Sequence, residues 1–333
     1  MPLRAAVLGT GRMSRVHAAS LKELGIPVTA VCNANLASAQ AFKAEMGIKD
    51  ADIYQDFDKM LESGDFNILF ICIPPFAQQG QFEKASAQGK HIFIEKPIAL
   101  NSLTGSAMVR SAKQNGIINM VGFHQRYGAA VKRLKELIDK GEAGRPVLFS
   151  AELHENITKV PWWWIKAELS GGQLFEQGAH YYDLCRYFFG DPKYAAGFFF
   201  NACHCGVPGY SADDVSACIA SFKSGALANI TTNNCASRKF RRITIVFEKL
   251  TAELSDYNHG TFTFCSQEES PAETVAGEED PFFEEVKEFV SFVESGKQTG
   301  CDILEGYKSL CFSETAVRSA KLDGVKLPVE IQF

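Results

Sequence analysis

The fold is decided by residues 3–14, LRAAVLGTGRMS, which combine an apolar run, a glycine-containing turn and the beginning of a helical pattern. Gly9 permits a tight bend after the strand, and Gly11 lets a phosphate approach the backbone amides at the helix N-terminus. Ser14 stands where the usual motif has a third glycine, and its small side chain still allows close helix packing. The pattern predicts a turn that binds a pyrophosphate. The residues predicted to line this turn are Gly9, Thr10, Gly11, Arg12 and Met13.

A complete βαβ unit surrounds this turn. Its predicted elements are a helix from Arg12 to Leu24, a strand from Pro27 to Cys32, and a helix from Leu36 to Met46 capped by Asn35. At the end of the second strand a carboxylate normally binds the ribose hydroxyls of NAD, but this chain has Asn33. An asparagine can bind a ribose without repelling a 2′-phosphate, and Arg12 could favour NADP. The sequence therefore predicts NAD or NADP, with a slight preference for NAD.

Strands and helices alternate as far as residue 123, which predicts a doubly wound parallel sheet of the Rossmann type. The further strands are predicted at 67–73, 91–96 and 117–123, with a helix at 103–114. Longer runs of alternating apolar residues follow, which predict an α+β domain on an open, largely antiparallel sheet. Its strands are predicted at 147–153, 215–222, 226–232 and 241–247, its helices at 131–140, 282–294 and 305–322, and an exposed loop at 266–280. The predicted domains are residues 1–122 and 123–333.

Residues 91–97, HIFIEKP, place a lysine at the carboxyl end of a buried strand. Ligands bind at that edge of an open parallel sheet. Burying a lysine is costly, and Pro97 ends the strand, so the arrangement is consistent with a functional role for Lys96. The alternative is that Glu95 and Lys96 form a solvated strand end, and the tripeptide alone does not decide between the two.

Composition narrows the class of protein. The 333 residues are 46% apolar and 22% charged, and 34 basic against 39 acidic residues leave a net charge of −5. No cluster of Lys and Arg suggests a nucleic-acid partner. No signal sequence and no stretch of about 18 apolar residues is apparent, so we expect a cytoplasmic protein without a membrane association. The ten cysteines are expected to be reduced thiols.

Several short motifs occur together in this chain. They are Gly9-Thr10-Gly11 with His17, Pro74, Gly89-Lys90-His91 before Glu95-Lys96-Pro97, Gly122-Phe123 with Arg126, Gly171-Gly172, and Glu176-Gln177-Gly178-Ala179-His180 with Asp183. In this order they resemble the glucose-fructose oxidoreductase / inositol dehydrogenase (Gfo/Idh/MocA) family over essentially the whole length. The resemblance implies a nicotinamide-dependent oxidoreductase acting on a secondary alcohol of a sugar, inositol or sugar derivative. It also implies a homo-oligomer, a dimer or tetramer, formed through the C-terminal sheet, and further cofactor contacts from Ile73, Pro74, Glu95 and Lys96.

The resemblance assigns catalysis to Lys96, Glu176 and His180. Oxidation of an alcohol needs a base for the hydroxyl proton and a cation near the developing alkoxide. On a helix, Glu176 and His180 would lie one turn apart on the same face. His180 would exchange the proton, Lys96 would polarise the oxygen, and Glu176 would position His180 or the substrate. The alternative for His180 is a core histidine held by Asp183.

Other candidates have weaker support. Trp163 and Trp164, within the run Trp162–Trp164, could stack on a sugar, while His124 and Arg126 could line the cleft or fill a hinge. Gln78 stands where the family often has histidine. The run Cys203-His204-Cys205 looks like a metal cluster, but strand alternation would place His204 opposite both thiols. We therefore expect no metal site.

Two other functions remain open at this stage. The family includes a sugar-pathway repressor that uses the dinucleotide fold for sensing, so a regulator without catalytic activity is one alternative. Retention of Lys96 and His180 favours the enzyme, because a sensor needs no pair of groups for proton transfer. The second alternative is reduction of a different double bond, as in the related biliverdin reductases.

Overall fold

The computed structural model describes residues 2–156, 161–265 and 272–333 and arranges them on two sheets. The first sheet contains six strands: β1 Ala5–Leu8, β2 Val28–Cys32, β3 Asp52–Tyr54, β4 Ile68–Ile71, β5 His91–Ile94 and β6 Asn119–Val121. Its helices are α1 Arg12–Glu23, α2 Leu36–Met46, α3 Phe57–Ser63, α4 Gln81–Ala87 and α5 Ser102–Asn115. No helix in the described ranges is long and apolar enough to span a membrane.

All strands of this first sheet are parallel, in the order β3-β2-β1-β4-β5-β6. The residues of β1 and β4 are fully buried because helices cover both faces, which explains their continuous apolar runs. The strand order reverses between β1 and β4, so a crevice opens at their carboxyl ends. The predicted Rossmann sheet is confirmed, and it places the glycine turn at this reversal.

Two elements of this sheet were not predicted, β3 and α3. β3 has three residues and lies at the edge, half-exposed, so it lacks the apolar run that marks a buried strand. The predicted cap of α2 is present, since Asn35 Oδ1 accepts a hydrogen bond from the Ser38 N–H at 3.0 Å.

The second sheet has nine strands in the order β14-β13-β12-β11-β7-β10-β9-β8-β15. These strands are β7 Pro146–Asn156, β8 Pro192–Phe200, β9 Val215–Phe222, β10 Leu227–Asn233, β11 Cys235–Phe247, β12 Leu250–Leu254, β13 His259–Phe264, β14 Ala272–Ala276 and β15 Leu327–Pro328. The helices of this part are α6 Ala129–Asp139, α7 Ala167–Ser170, α8 Ala179–Phe189, α9 Pro281–Ser295 and α10 Ile303–Ala320. Only the β7–β10 pair is parallel in the described ranges, so the predicted, largely antiparallel sheet is confirmed.

The predicted loop at 266–280 is wrong in part, because β14 occupies Ala272–Ala276 and pairs with β13. Residues 266–271 lie outside the described part of the chain. β14 is an edge strand whose side chains alternate between exposed and half-buried positions, and its Glu, Thr and Ala residues resemble a polar loop. An apolar pattern was therefore not available to predict it.

The last two long helices return to the first sheet. On α9, the Phe289 ring meets the Phe70 ring of β4 at 5.8 Å and the Phe93 ring of β5 at 5.7 Å between centroids. α10 packs on α5, where a Cβ added to Gly105 would come within 2.9 Å of the Tyr307 ring. The core of the nucleotide-binding half is thus completed by residues from the end of the chain.

Candidate active site

The glycine turn after β1 is tightly constrained on one side and open on the other. Gly9 has φ +96°, and a Cβ there would lie 2.5 Å from the Cys72 carbonyl oxygen, so only glycine fits. A Cβ on Gly11, at the N-terminus of α1, would meet no described protein atom within 4 Å. The half-buried Ile73 adjoins the turn, since its Cγ2 would lie 3.2 Å from a Cβ on Gly9. This open helix N-terminus can hold a pyrophosphate.

Side chains brace the same turn. Asn33 Nδ2 donates to Thr10 Oγ1 at 2.6 Å, and Asn33 Oδ1 accepts from the Asn35 N–H at 2.8 Å. Arg15 donates through Nη1 to the carbonyl oxygens of Thr10, at 2.5 Å, and Gly11, at 3.0 Å. Arg15 is thus a second cation at the turn, besides the predicted Arg12. Arg12 itself is exposed on the first turn of α1, where the half-buried Met13 follows it.

Lys96 connects the two halves of the chain. It follows the end of β5, and its Nζ donates a hydrogen bond to the main-chain oxygen of Glu176 at 2.6 Å. Glu176 belongs to a five-residue π-helical turn, Leu174–Gly178, immediately before α8. The prediction of a regular helix from Glu176 to His180 is therefore wrong, because the wider turn changes the angle between the two side chains. Such turns are frequent at functional sites.

The Glu176 carboxyl group has an unusual environment. Burial raises its pKa from 4.5 to about 7, although the Lys96 charge and hydrogen bonding to the Trp164 side chain act in the opposite direction. Its Oε1 has no hydrogen-bond partner among the described residues. A buried carboxyl group that ionises near neutral pH can exchange a proton with a ligand.

His180 lies nearby on the first turn of α8 and is 4% exposed. Its ring meets that of His124 at 4.5 Å, and His124 stacks on Phe282 of α9 at 4.1 Å. Burial, followed by the neighbouring His124 and Lys96, holds the pKa of His180 well below its usual value, so the imidazole is neutral. Its Nδ1 has no hydrogen-bond partner in the described part of the chain. Of these two groups, it is Glu176 and not His180 that has a pKa near neutrality.

Asp183 does not hold His180. Its carboxylate accepts hydrogen bonds from Arg126 Nε at 2.7 Å and Arg126 Nη2 at 2.6 Å, and also from Ser309 Oγ at 3.2 Å. Arg126 Nη1 donates to the Gly300 carbonyl at 3.1 Å. Both charged groups are buried, and every nitrogen of the guanidinium group is engaged with protein. The prediction that Arg126 binds substrate is therefore not supported; instead, Arg126 joins the 3-10 turn before α6 to α8.

Behind Lys96, three titratable side chains are buried together. His17 Nε2 and Glu95 Oε1 are 2.7 Å apart, and Glu95 Oε2 accepts the Lys96 N–H at 3.2 Å. Glu285 of α9 lies beside them, and burial, followed by the Glu95 charge, raises its pKa well above the usual range. The Glu95 side chain thus faces inward, which excludes the solvated strand end and leaves only its main chain for a cofactor contact. Its carboxylate orients the backbone that carries Lys96.

The tryptophan run lies in a turn against the nucleotide-binding half. Phe76, in the short 3-10 turn after Pro74, meets the ring of Trp162 at 6.1 Å and that of Trp163 at 5.9 Å. Trp162 is 63% exposed, whereas Trp163 and Trp164 are half-buried. Trp164 lies close enough to the Glu176 carboxyl group to lower its pKa, so it is the tryptophan directed to the candidate site.

Gln78 was not among the predicted site residues, although it is buried and both atoms of its amide group have no partner in the described ranges. Buried amide groups normally bind protein, water or a ligand. In the sequence, only the family resemblance distinguishes this position, because a single glutamine forms no recognisable pattern.

Family models match both halves of the chain. Residues 3–123 match the Gfo/Idh/MocA model described as an oxidoreductase family with an NAD-binding Rossmann fold, and residues 131–253 match a C-terminal domain of the same family. Together these segments cover more than half of the 333 residues.

Named relatives extend the similarity. Myo-inositol 2-dehydrogenase of Thermotoga maritima is 24% identical over 327 residues, which span 95% of this chain and 96% of the relative. The scyllo-inositol 2-dehydrogenase (NAD(+)) of Bacillus subtilis is 32% identical over 196 residues, 56% of this chain and 54% of that enzyme. A solved structure of levoglucosan dehydrogenase with NADH and levoglucosan has a TM-score of 0.89 and 18% identity, covering 98% of this chain and 99% of that one.

The two matched segments agree with the structure, which has a constrained glycine turn after β1 and a lysine at the end of β5. The chain belongs to the Gfo/Idh/MocA oxidoreductase family, whose N-terminal half is an NAD-binding Rossmann fold.

Proposed function

We propose that this protein is an NAD-dependent dehydrogenase that oxidises a secondary alcohol of an inositol, sugar or sugar derivative. The observation that carries the proposal is the hydrogen bond from Lys96 to the Glu176 carbonyl, which brings the end of β5 to the segment that contains Glu176 and His180. The inositol dehydrogenases among the relatives support the substrate class. Bound NAD would supply a nicotinamide ring that accepts hydride from the carbinol carbon.

Lys96 has the position and charge to act on the substrate oxygen. Its ammonium group is half-buried and is directed by the Glu176 carbonyl. A cation held there stabilises negative charge as it develops on the hydroxyl oxygen, and its alignment requires no rearrangement during the reaction. We assign Lys96 this electrostatic role.

The hydroxyl proton passes to the acidic and imidazole groups beside Lys96. His180 is neutral, so its ring can accept a hydrogen bond from the substrate hydroxyl and take its proton as hydride leaves. Glu176, with a pKa of about 7, can accept that proton in turn near neutral pH. In the direction of reduction the same groups return the proton to the carbonyl oxygen.

We propose a modest preference for NAD over NADP. Asn33 is fixed by Thr10 and the Asn35 N–H, so it can bind a ribose hydroxyl but carries no charge to repel a phosphate. Arg15 is engaged by Glu45 and by the carbonyls of the turn, and this leaves only the exposed Arg12 as a free cation among the described residues of the turn.

We also propose that the chain forms a homo-oligomer, a dimer or tetramer, in the cytoplasm. Large apolar side chains project together from the outer face of β8, β9 and β10, where Phe198 is 53% exposed and Ile219 is 61% exposed. Phe200 and Leu227 are exposed on the same face. Burial of this surface against a second copy would remove it from water.

The function can be tested with the purified protein and a panel of alcohols. NAD+ and NADP+ are each combined with myo-inositol, scyllo-inositol and levoglucosan, and formation of reduced nicotinamide is followed by absorbance; a linear 2-hydroxy acid is the control. Turnover of a cyclic polyol or sugar is expected. Binding of NAD without turnover on a broad panel would favour a sensor and would contradict the proposal.

A further inference from the structure

Two cysteines and an aspartate that are distant in sequence meet beside the second sheet. Cys203 lies in the turn after β8, Asp214 immediately precedes β9, and Cys235 begins β11. One sulfur or carboxylate oxygen from each lies within 4.8 Å of the other two, and we call these residues the Cys203–Asp214–Cys235 cluster. The predicted strand through Cys203-His204-Cys205 is wrong, because β8 ends at Phe200 and the chain turns.

The hydrogen bonds around Asp214 favour an ionised carboxylate, which is the form that binds a metal ion. Its buried carboxylate accepts N–H hydrogen bonds from Ala202 on Oδ1, at 2.7 Å, and from Cys203 and His204 on Oδ2, at 2.9 and 2.8 Å. His204 Nδ1 adds a contact to Oδ2 at 2.8 Å. Oδ1 has one partner in the described chain, so it has a lone pair available.

The two sulfur atoms differ in access. Cys203 is exposed and Cys235 is half-buried, so the cluster can be reached from solvent. A thiol beside another thiol and a carboxylate is an environment in which metal binding would displace protons.

We propose that the Cys203–Asp214–Cys235 cluster binds one zinc-type divalent cation. The ligands would be both sulfur atoms as thiolates and Asp214 Oδ1, with the fourth position taken by water. Two thiolates with an oxygen donor suit Zn²⁺, which binds sulfur at about 2.3 Å and carboxylate oxygen at about 2.0–2.2 Å. His204 would be the outer partner that orients the carboxylate.

Such an ion would stiffen a wall next to the candidate active site. Ser211 and Ala212, in the same connection between β8 and β9, donate N–H hydrogen bonds to the Ile165 carbonyl at 2.8 and 3.0 Å. Ile165 directly follows the tryptophan run. The metal would join this connection to the start of β11 and is assigned a structural role, with no step in the dehydrogenase reaction.

The test uses the full chain, reduced and freed of metal with a chelator, and titrated with Co²⁺ and then Zn²⁺. We expect one equivalent of Co²⁺ to give a near-ultraviolet thiolate charge-transfer band and the visible bands of a tetrahedral site, and Zn²⁺ to abolish them. Cys203→Ser and Cys235→Ser should each weaken Co²⁺ binding at least tenfold, because each removes a thiolate. Cys265→Ser, which changes an exposed cysteine directly after β13, is the matched control and should bind Co²⁺ normally.

Three results would overturn the proposal. Absence of the thiolate band in the wild-type protein would exclude the site, as would a band that is unchanged in Cys203→Ser. A fully reduced protein that binds no Co²⁺, and in which peptide mapping after mild oxidation with peroxide finds Cys203 linked to Cys235, would identify the pair as a disulfide. Thermal melting of Cys203→Ser checks that this exposed position leaves the fold intact.

Discussion

Replacing Glu176 with glutamine tests whether its buried carboxyl group makes the stability of the protein depend on pH. Burial raises the folded-state pKa from 4.5 to about 7, so the folded protein binds the proton more tightly than the unfolded chain does. The resulting stability is fully present below pH 4.5 and is lost as the pH rises through 7. Between pH 5 and 8.5 the wild-type protein should lose about 2.5 kcal/mol of unfolding free energy from this group, whereas Glu176→Gln, which has no proton to release, should not.

The measurement is a series of thermal melts of the cofactor-free proteins across that pH range. For a chain of this size, 2.5 kcal/mol corresponds to roughly 4 °C in Tm. The Tm of the variant relative to that of the wild type should therefore rise by about this amount between pH 5 and 8.5. Glu142→Gln, at an exposed position, is the matched control and should follow the wild type. A Tm difference between Glu176→Gln and wild type that stays constant with pH would refute the buried, near-neutral carboxyl group.

Three further predictions concern other groups. Lys96→Met should keep NAD binding, measured by tryptophan fluorescence, but lower turnover by about a hundredfold through loss of a transition-state contact; near-normal rates would exclude its electrostatic role. Asn33→Asp should raise the NAD to NADP affinity ratio by about tenfold, because a carboxylate repels the 2′-phosphate; an unchanged ratio in dinucleotide titrations would place selectivity elsewhere. Asp183→Ala should lower the free energy of unfolding in urea by about 3–5 kcal/mol, because Arg126 would stay buried without its partner, and a loss below about 1 kcal/mol would contradict this.

Local patterns in the sequence were sufficient to predict the glycine turn and the position of Lys96 at the end of a buried strand. Gly9 is required by a backbone angle and a close carbonyl, and the strand before Lys96 is a continuous apolar run, so both follow from neighbouring residues. The cap at Asn35 is equally local. These features depend on the chain within a few residues of each position.

Contacts between residues that are distant in the sequence could not be predicted from local patterns. Nothing near Arg126 indicates that its guanidinium pairs with Asp183, and nothing near Glu176 indicates that its main-chain oxygen accepts a hydrogen bond from Lys96. The pKa order of Glu176 and His180 is likewise set by burial, which spacing along a helix does not give. The proximity of Cys235 to Cys203 likewise appears only in the folded chain.

The contact of Phe289 with Phe70 and Phe93 has a consequence for biosynthesis. The ribosome releases the whole nucleotide-binding sheet long before α9 emerges. Until then the rings of Phe70 and Phe93 pack against the His17 ring of α1 but lack the cover that Phe289 provides. A fragment of residues 1–122 should consequently bind an apolar dye and aggregate, whereas co-expression with residues 123–333 should suppress both effects. If the fragment were monomeric and dye-free, α9 would be dispensable for that half. Truncations at the C-terminus are thus expected to damage nucleotide binding although the deleted residues lie far along the chain from the glycine turn.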